Sequence, residues 1–139
     1  MMTSCSAAPF EIRRYLLGDE VGIVALHNTV FNQNRTLAQW RWQYQMAPGG
    51  KAAIFVLTMG RSIVGHFALI PFAVHYREQT IMTAKAEGAM VDPKHRLIVA
   101  KRGLFKEMVN QAFTQAFARD IGIVWGMTNR PRDFQHAGF

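Results

Sequence analysis

The sequence predicts an α/β domain with a mixed, mostly antiparallel sheet flanked by helices, and three observations carry that reading. Three β-rich runs follow one another between Ala52 and Val91 with only short polar turns between them, the pattern of an antiparallel meander. Amphipathic helical segments stand on either side of that block. After the last helix comes Ile121 to Met127, a nearly continuous apolar run of the kind found in a strand buried on both faces and parallel to its predecessor.

The elements can be justified in order. Phe10 to Tyr15 reads as a short first strand. Asp19 is placed to cap a helix reaching Phe31, on which Ile23, Val24, His27, Val30 and Phe31 share a face. Thr36 with Gln39 makes a capping box opening a second helix to Met46, which stops at Pro48, Gly49 and Gly50. Leu37, Trp40 and Tyr44 share one side of it. Trp40 and Trp42 point to opposite sides, so either both are core or one is core and the other lines a substrate groove. Ala52 to Thr58 and Ile63 to His75 form a hairpin about Met59, Gly60 and Arg61, and Thr80 to Val91 follows the polar turn at Arg77, Glu78 and Gln79. From Leu104 to Phe117 apolar pairs recur every four residues, with Lys106, Glu107, Asn110 and Gln111 opposite, giving a helix with one buried stripe.

Bulk properties narrow the class. At 139 residues the chain is long enough for a single domain that buries about two thirds of its unfolded surface. Half of the residues are apolar and 18% are charged, which is a globular composition rather than a disordered one. The net charge of +7 favours anionic partners without choosing among nucleotide cofactors, nucleic acid and acidic lipid. Cys5 is the only cysteine, so an internal disulfide framework is excluded, and a reducing compartment, the cytoplasm, is expected. No apolar run reaches the roughly 18 to 20 residues of a membrane span, and no signal-peptide pattern opens the chain. His27, His66, His75, His95 and His136 share no metal-ligand spacing, and no metal site is expected.

Met90 to Phe117 is the segment that suggests chemistry. A strand end, a proline stop at Pro93, a basic turn through Lys101, Arg102 and Gly103, and a helix beginning at Leu104 together place free backbone N–H groups at the positive end of a helix dipole. An anion site is the functional reading; an ordinary strand-to-helix connection with solvated charges is the structural one.

On these residues the chain resembles the GNAT acyl-CoA N-acyltransferase superfamily, in particular a branch with a V-x-P-x-x-R-G-K-G-I-F signature, a W-G-F-x-N strand end and a closing G-F. The corresponding segments are Val91-Asp92-Pro93-Lys94-His95-Arg96, Lys101-Arg102-Gly103-Leu104-Phe105, Trp125-Gly126-Met127-Thr128-Asn129 and Gly138-Phe139. Phe31 to Thr36, Trp40 to Tyr44, Pro48 to Gly50 and Ile63 to His66 resemble further parts of that branch, so the likeness spans nearly the whole chain. Two departures stand out. Leu97 to Ala100 separate Arg96 from the glycine turn, either as a four-residue insertion or because Ala100 occupies the arginine slot. The position of the family's tyrosine general acid is Phe134, which has no proton to donate; His136 is the nearest titratable alternative.

The resemblance implies acetyl transfer from acetyl-CoA to a primary amine, on a small molecule or a protein. The cofactor would meet Met90, Val91, Arg96, Lys101, Arg102, Gly103, Leu104, Phe105 and Asn129: phosphates on the N–H groups of Lys101 to Phe105, the pantetheine arm on the backbone of Met90 and Val91, and an oxyanion donor among the N–H groups near Met90. Glu87 is the expected base, being the carboxylate of the strand that leads to Pro93; its structural alternative is a sheet-surface residue paired with Lys85. Asp92 is expected to serve the turn. The resemblance further implies two strands beyond the G-F segment, so the chain is expected to be the N-terminal part of a longer protein or to be completed by another subunit, as in a homodimer. Two other function classes compete. One is a degenerate GNAT-like domain that binds acyl-CoA or a partner without catalysis. The other is a basic nucleic-acid module built on Arg13, Arg14, Lys94, Arg96, Lys101, Arg102, Arg130 and Arg132, against which stands the near-neutral polar face of the Leu104 to Phe117 helix.

Overall fold

A computed structural model describes residues 9–128 together with Arg132 and Gln135. The elements run β1 (Phe10–Arg14), α1 (Asp19–Phe31), α2 (Leu37–Tyr44), β2 (Ala53–Met59), β3 (Ser62–Tyr76), β4 (Gln79–Val91), α3 (Arg96–Lys101), α4 (Leu104–Ala118) and β5 (Val124–Trp125). They form one five-stranded sheet in the order β1-β2-β3-β4-β5, antiparallel except for the parallel pair β4 and β5. This is the mixed, mostly antiparallel sheet flanked by helices that the sequence predicts. No helix among the described residues is long and apolar enough to cross a membrane.

Strand alternation divides the core between two faces. On one, Phe55, Leu57, Phe67, Leu69, Ala84 and Ala86 meet the stripe of α4, where Leu104, Met108, Val109, Ala112 and Ala116 are buried. On the other, Ile54, Val56, Ala68, Ile70 and Met90 pack against Ile23, Val24 and Leu26 of α1 and Trp40 and Tyr44 of α2. The capping box of α2 is present: Gln39 N–H donates to Thr36 Oγ1, and Thr36 N–H donates to Gln39 Oε1.

The structure corrects the expected elements in three places. Asp19 is not the cap of α1; Gly18 holds that position at φ +104, and Asp19 instead binds Arg13 of β1 at 2.7 Å and accepts the Leu16 N–H. The interval Leu97 to Ala100, read as an interruption, is a helix, because one side of it has a core to meet: Val99 is buried while Leu97 and Ile98 stay exposed. Finally, the Ile121 to Met127 run contributes only Val124 and Trp125 as a strand. It pairs parallel to β4 as expected but is not buried on both faces: Met127 is 82% exposed.

Candidate active site

Two departures from regular pairing around β4 make the site. The register runs from Ala68 opposite Glu87 to His66 opposite Met90, so two steps along β3 match three along β4. The extra residue makes a β-bulge at Gly88, which takes φ +64, a left-handed conformation that glycine adopts without the cost other residues meet. On the other side, β4 pairs with β5 only at Ala84 with Val124 and Lys85 with Trp125. That short contact is pinned by the Trp125 indole, whose Nε1–H donates to Thr83 Oγ1 at 2.9 Å and whose ring meets Phe72 edge-on. Beyond Lys85 the edge of β4 has no further pairing with β5 among the described residues, although Gly126 still lies against Ala86.

A groove of about 930 Å³ lies along this unpaired part of β4. Its floor is Ala86 to Val91; Arg96, Val99, Ala100 and Phe105 form one wall, and His27, Arg35 and Tyr44 another. Of the residues singled out from the sequence, Glu87, Met90, Val91, Arg96 and Phe105 therefore come together. Lys101, Arg102, Gly103 and Leu104 do not line it: Leu104 is buried beneath α4, and the Arg102 guanidinium lies over the Phe10 ring at 5.5 Å. Asn129, Phe134, His136 and the Gly138-Phe139 pair are outside the described residues.

The expected N–H cradle is also narrower than Lys101 to Phe105. Because α3 occupies the preceding turn, the Arg102 N–H donates to the Ile98 carbonyl at 3.0 Å and the Gly103 N–H to the Ala100 carbonyl at 3.1 Å. Gly103 then turns the chain at φ +63, and the Glu107 N–H bonds back to the Gly103 carbonyl. Leu104, Phe105 and Lys106 remain as the N–H groups at the helix start whose carbonyl partners four residues back would precede the helix. Nearby, Arg96 Nε donates to the Val91 carbonyl at 3.1 Å, which ties α3 to the end of β4.

The Glu87 carboxylate is ion-paired with Lys85, two residues away on the same face, as its structural alternative expects, and it lines the groove. The Lys85 ammonium in turn stands over the Trp125 ring at 5.8 Å.

Sequence reasoning missed the polar cluster behind the bulge. His66 is fully buried, and its Nδ1 lies 2.6 Å from the Gly88 carbonyl, which makes Nδ1 the protonated nitrogen; Nε2 is buried with no partner among the described residues. Burial pushes the His66 pKa down to about 4, so the ring is neutral near pH 7. Tyr44 packs edge-on against His66, and burial, reinforced by the Glu87 carboxylate, pushes its hydroxyl well above the ordinary phenol range against an opposing pull from Arg35. The phenol thus keeps its proton. A glycine inside the β-rich run Thr80 to Val91 was the available signal, since a lone glycine in a strand commonly marks a bulge.

The arrangement offers an unpaired strand edge, a helix N-terminus, two arginines and one carboxylate in a common groove. No curated protein sequence matches the chain significantly. Solved structures do match: a transcriptional regulator from Bacillus halodurans C-125 at 18% identity, with TM-score 0.72, covering 94% of this chain and 93% of that one. A glucosamine-6-phosphate N-acetyltransferase from Arabidopsis thaliana matches at 16% identity and TM-score 0.72, covering 94% and 91%. An aminoglycoside antibiotic 6'-N-acetyltransferase from Acinetobacter baumannii matches at 15% identity and TM-score 0.70, covering 94% and 90%. At such identities the likeness is one of fold. The profile of the acetyltransferase (GNAT) domain, however, matches residues 11–139, nearly the entire sequence, and the chain belongs to the GNAT acetyltransferase family.

Proposed function

We propose that the protein is an N-acetyltransferase that uses acetyl-CoA and a primary amine acceptor. The observation that carries this is the groove itself, in which the unpaired edge of β4 runs from Glu87 toward Arg96 and the start of α4. The residues fit the donor. Leu104, Phe105 and Lys106 N–H groups suit phosphate oxygens at the positive helix end, and Arg96 in the groove, with Lys101 and Arg102 in the adjoining turn, supplies positive charge. The Met90 and Val91 backbone is the candidate partner of the pantetheine arm. When bound, acetyl-CoA supplies an activated acyl carbon.

The chain's own residues would do the rest. An ammonium has no lone pair, so the acceptor must lose a proton before attack; Glu87 is the group in the groove that can take it, directly or through water. Lys85 orients the Glu87 carboxylate. Main-chain N–H groups near Met90, held by the bulge, are the candidate donors to the carbonyl oxygen as negative charge develops there. Tyr44 keeps its hydroxyl protonated beside the bulge.

A second reading, a GNAT domain that binds acyl-CoA without turnover, is favoured by one observation: α3 engages the Arg102 and Gly103 N–H groups and shortens the phosphate cradle. Calorimetry with acetyl-CoA at low and high salt, followed by thiol release with a panel of amines, separates the readings. Salt-sensitive binding with turnover is expected. Binding with no turnover favours the second reading, and no binding, with retention on nucleic acid, the basic-module one.

A further inference from the structure

We propose that the acceptor amine belongs to a molecule that also carries an anionic group, a carboxylate or a phosphate, and that Arg35 is the side chain that binds it. This rests on the acetyltransferase reading and specifies its acceptor.

Arg35 is held for such a role. One side chain of α1 grips its backbone from both ends: the Arg35 N–H donates to Asn28 Oδ1 at 2.8 Å, and Asn28 Nδ2 donates to the Arg35 carbonyl at 3.1 Å. The next residue, Thr36, is fixed by the capping box of α2. The root of the Arg35 side chain is therefore as rigid as two packed helices. Its guanidinium stands over the Tyr44 ring at 5.8 Å and also acts on the Tyr44 hydroxyl, contacts that restrain the group and leave part of its five-donor fork for a ligand.

No carboxylate among the described residues neutralises it. The ion pairs there are Arg13 with Asp19 and Lys85 with Glu87, so the single carboxylate lining the groove already has its cation. A guanidinium offers five N–H donors in a fork that matches the two oxygens of a carboxylate or phosphate. Arg35, Tyr44 and Glu87 line the same groove, which puts an anion-binding and a proton-accepting group in one site.

Arg35 also stands at a boundary. Beyond it the groove continues into a second depression of about 540 Å³, lined by His27, Gln33, Asn34, Gln39 and the exposed Trp42. That lining has amides, an imidazole and an indole, but no carboxylate among the described residues. An acceptor with several ammonium groups finds no counter-charge there, whereas an anion meets Arg35 on entry. The net charge of +7 steers in the same direction.

The test uses matched amines with saturating acetyl-CoA: ethanolamine against phosphoethanolamine, phenethylamine against phenylalanine, and spermidine as a polycation. The two pairs separate phosphate from carboxylate recognition. In at least one pair the anionic member is expected to have a kcat/KM roughly tenfold or more above its neutral partner, as one charge-assisted hydrogen-bonded contact provides, with the preference shrinking as salt is added. Arg35→Gln is expected to abolish the preference through KM, and Arg35→Lys to restore part of it, with melting curves confirming that both variants fold. The proposal is overturned if spermidine or the neutral amines are preferred, if acetyl-CoA binds yet neither anionic amine is turned over, or if Arg35→Gln keeps the preference. Failure to bind acetyl-CoA at all would overturn the transferase reading and this proposal together, and calorimetry distinguishes that case from the others.

Discussion

Acidification is expected to destabilise this protein through one buried ring. His66 has its pKa lowered by burial from 6.5 to about 4, so the folded state resists a proton that the unfolded chain accepts near pH 6.5. A depressed folded pKa contributes stability that is fully present above the unfolded value and is lost as pH falls through the folded one. The window is thus pH 6.5 down to about 4, and at 1.36 kcal/mol per pH unit its depth is about 3 kcal/mol. The geometry explains the sign. Nδ1 already holds its hydrogen against the Gly88 carbonyl, so a second proton must go on Nε2, which faces no acceptor among the described residues. Urea unfolding at half-unit pH steps from 7.5 to 4 measures the effect against His66→Asn, whose amide can keep the bond to Gly88 but does not titrate. The wild-type protein is expected to lose about 3 kcal/mol more than the variant across that range. Parallel pH profiles for the two proteins would refute the reasoning, because they would mean that the folded state protonates His66 as readily as the unfolded one.

Other perturbations follow from the same site. Gly88→Ala places a Cβ 2.7 Å from the His66 ring and the Tyr44 hydroxyl at a left-handed φ of +64, so a loss on the order of 3 kcal/mol is expected from conformation and overpacking together; a chemical denaturation curve within about 0.5 kcal/mol of wild type would count against the bulge geometry. Glu87→Gln is expected to lower kcat by about 10²- to 10⁴-fold while leaving acetyl-CoA affinity intact, read by steady-state kinetics and calorimetry; an unchanged kcat would remove Glu87 as the base. Thr36→Ala removes one half of the capping box and is expected to cost about 1 kcal/mol in urea unfolding, with no loss at all indicating that the cap is dispensable.

Where a single local signal decided the structure, the sequence was legible. The capping box at Thr36, the four-residue stripe of α4 and the three alternating runs of the meander all appear as read, because periodicity and capping are set within a few residues. Leu97 to Ala100 was not legible as a helix, since four apolar residues fit a strand, a loop or a helix turn and only the burial of Val99 selects among them. The two-residue length of β5 was equally hidden: where its pairing with β4 stops is a property of two segments some forty residues apart. In the site, Glu87, Met90, Val91, Arg96 and Phe105 were identifiable from one stretch of chain. Tyr44 and Arg35, which reach the groove from other elements, and His66, buried behind the bulge, were not, because they carry no spacing that links them to Gly88.

The bulge at Gly88 resets the phase of β4. Before it, Lys85 and Glu87 look toward α1 and α2 while Ala84 and Ala86 look toward α4; after it, Met90 shares the first direction and Ala89 and Val91 pack against the core of the second. In an uninterrupted strand Glu87 and Met90 would face opposite sides of the sheet. One inserted residue is therefore what allows a charged group in the groove and a buried anchor in the core to sit three positions apart on the same side. Removing Gly88 would set two steps of β4 against two of β3, so Glu87 and Met90 would still share a side, but the bulge and the carbonyl that holds His66 Nδ1 would be gone. A change of length at the tight Arg77-Glu78 turn, at the far end of the hairpin, would leave that phase intact.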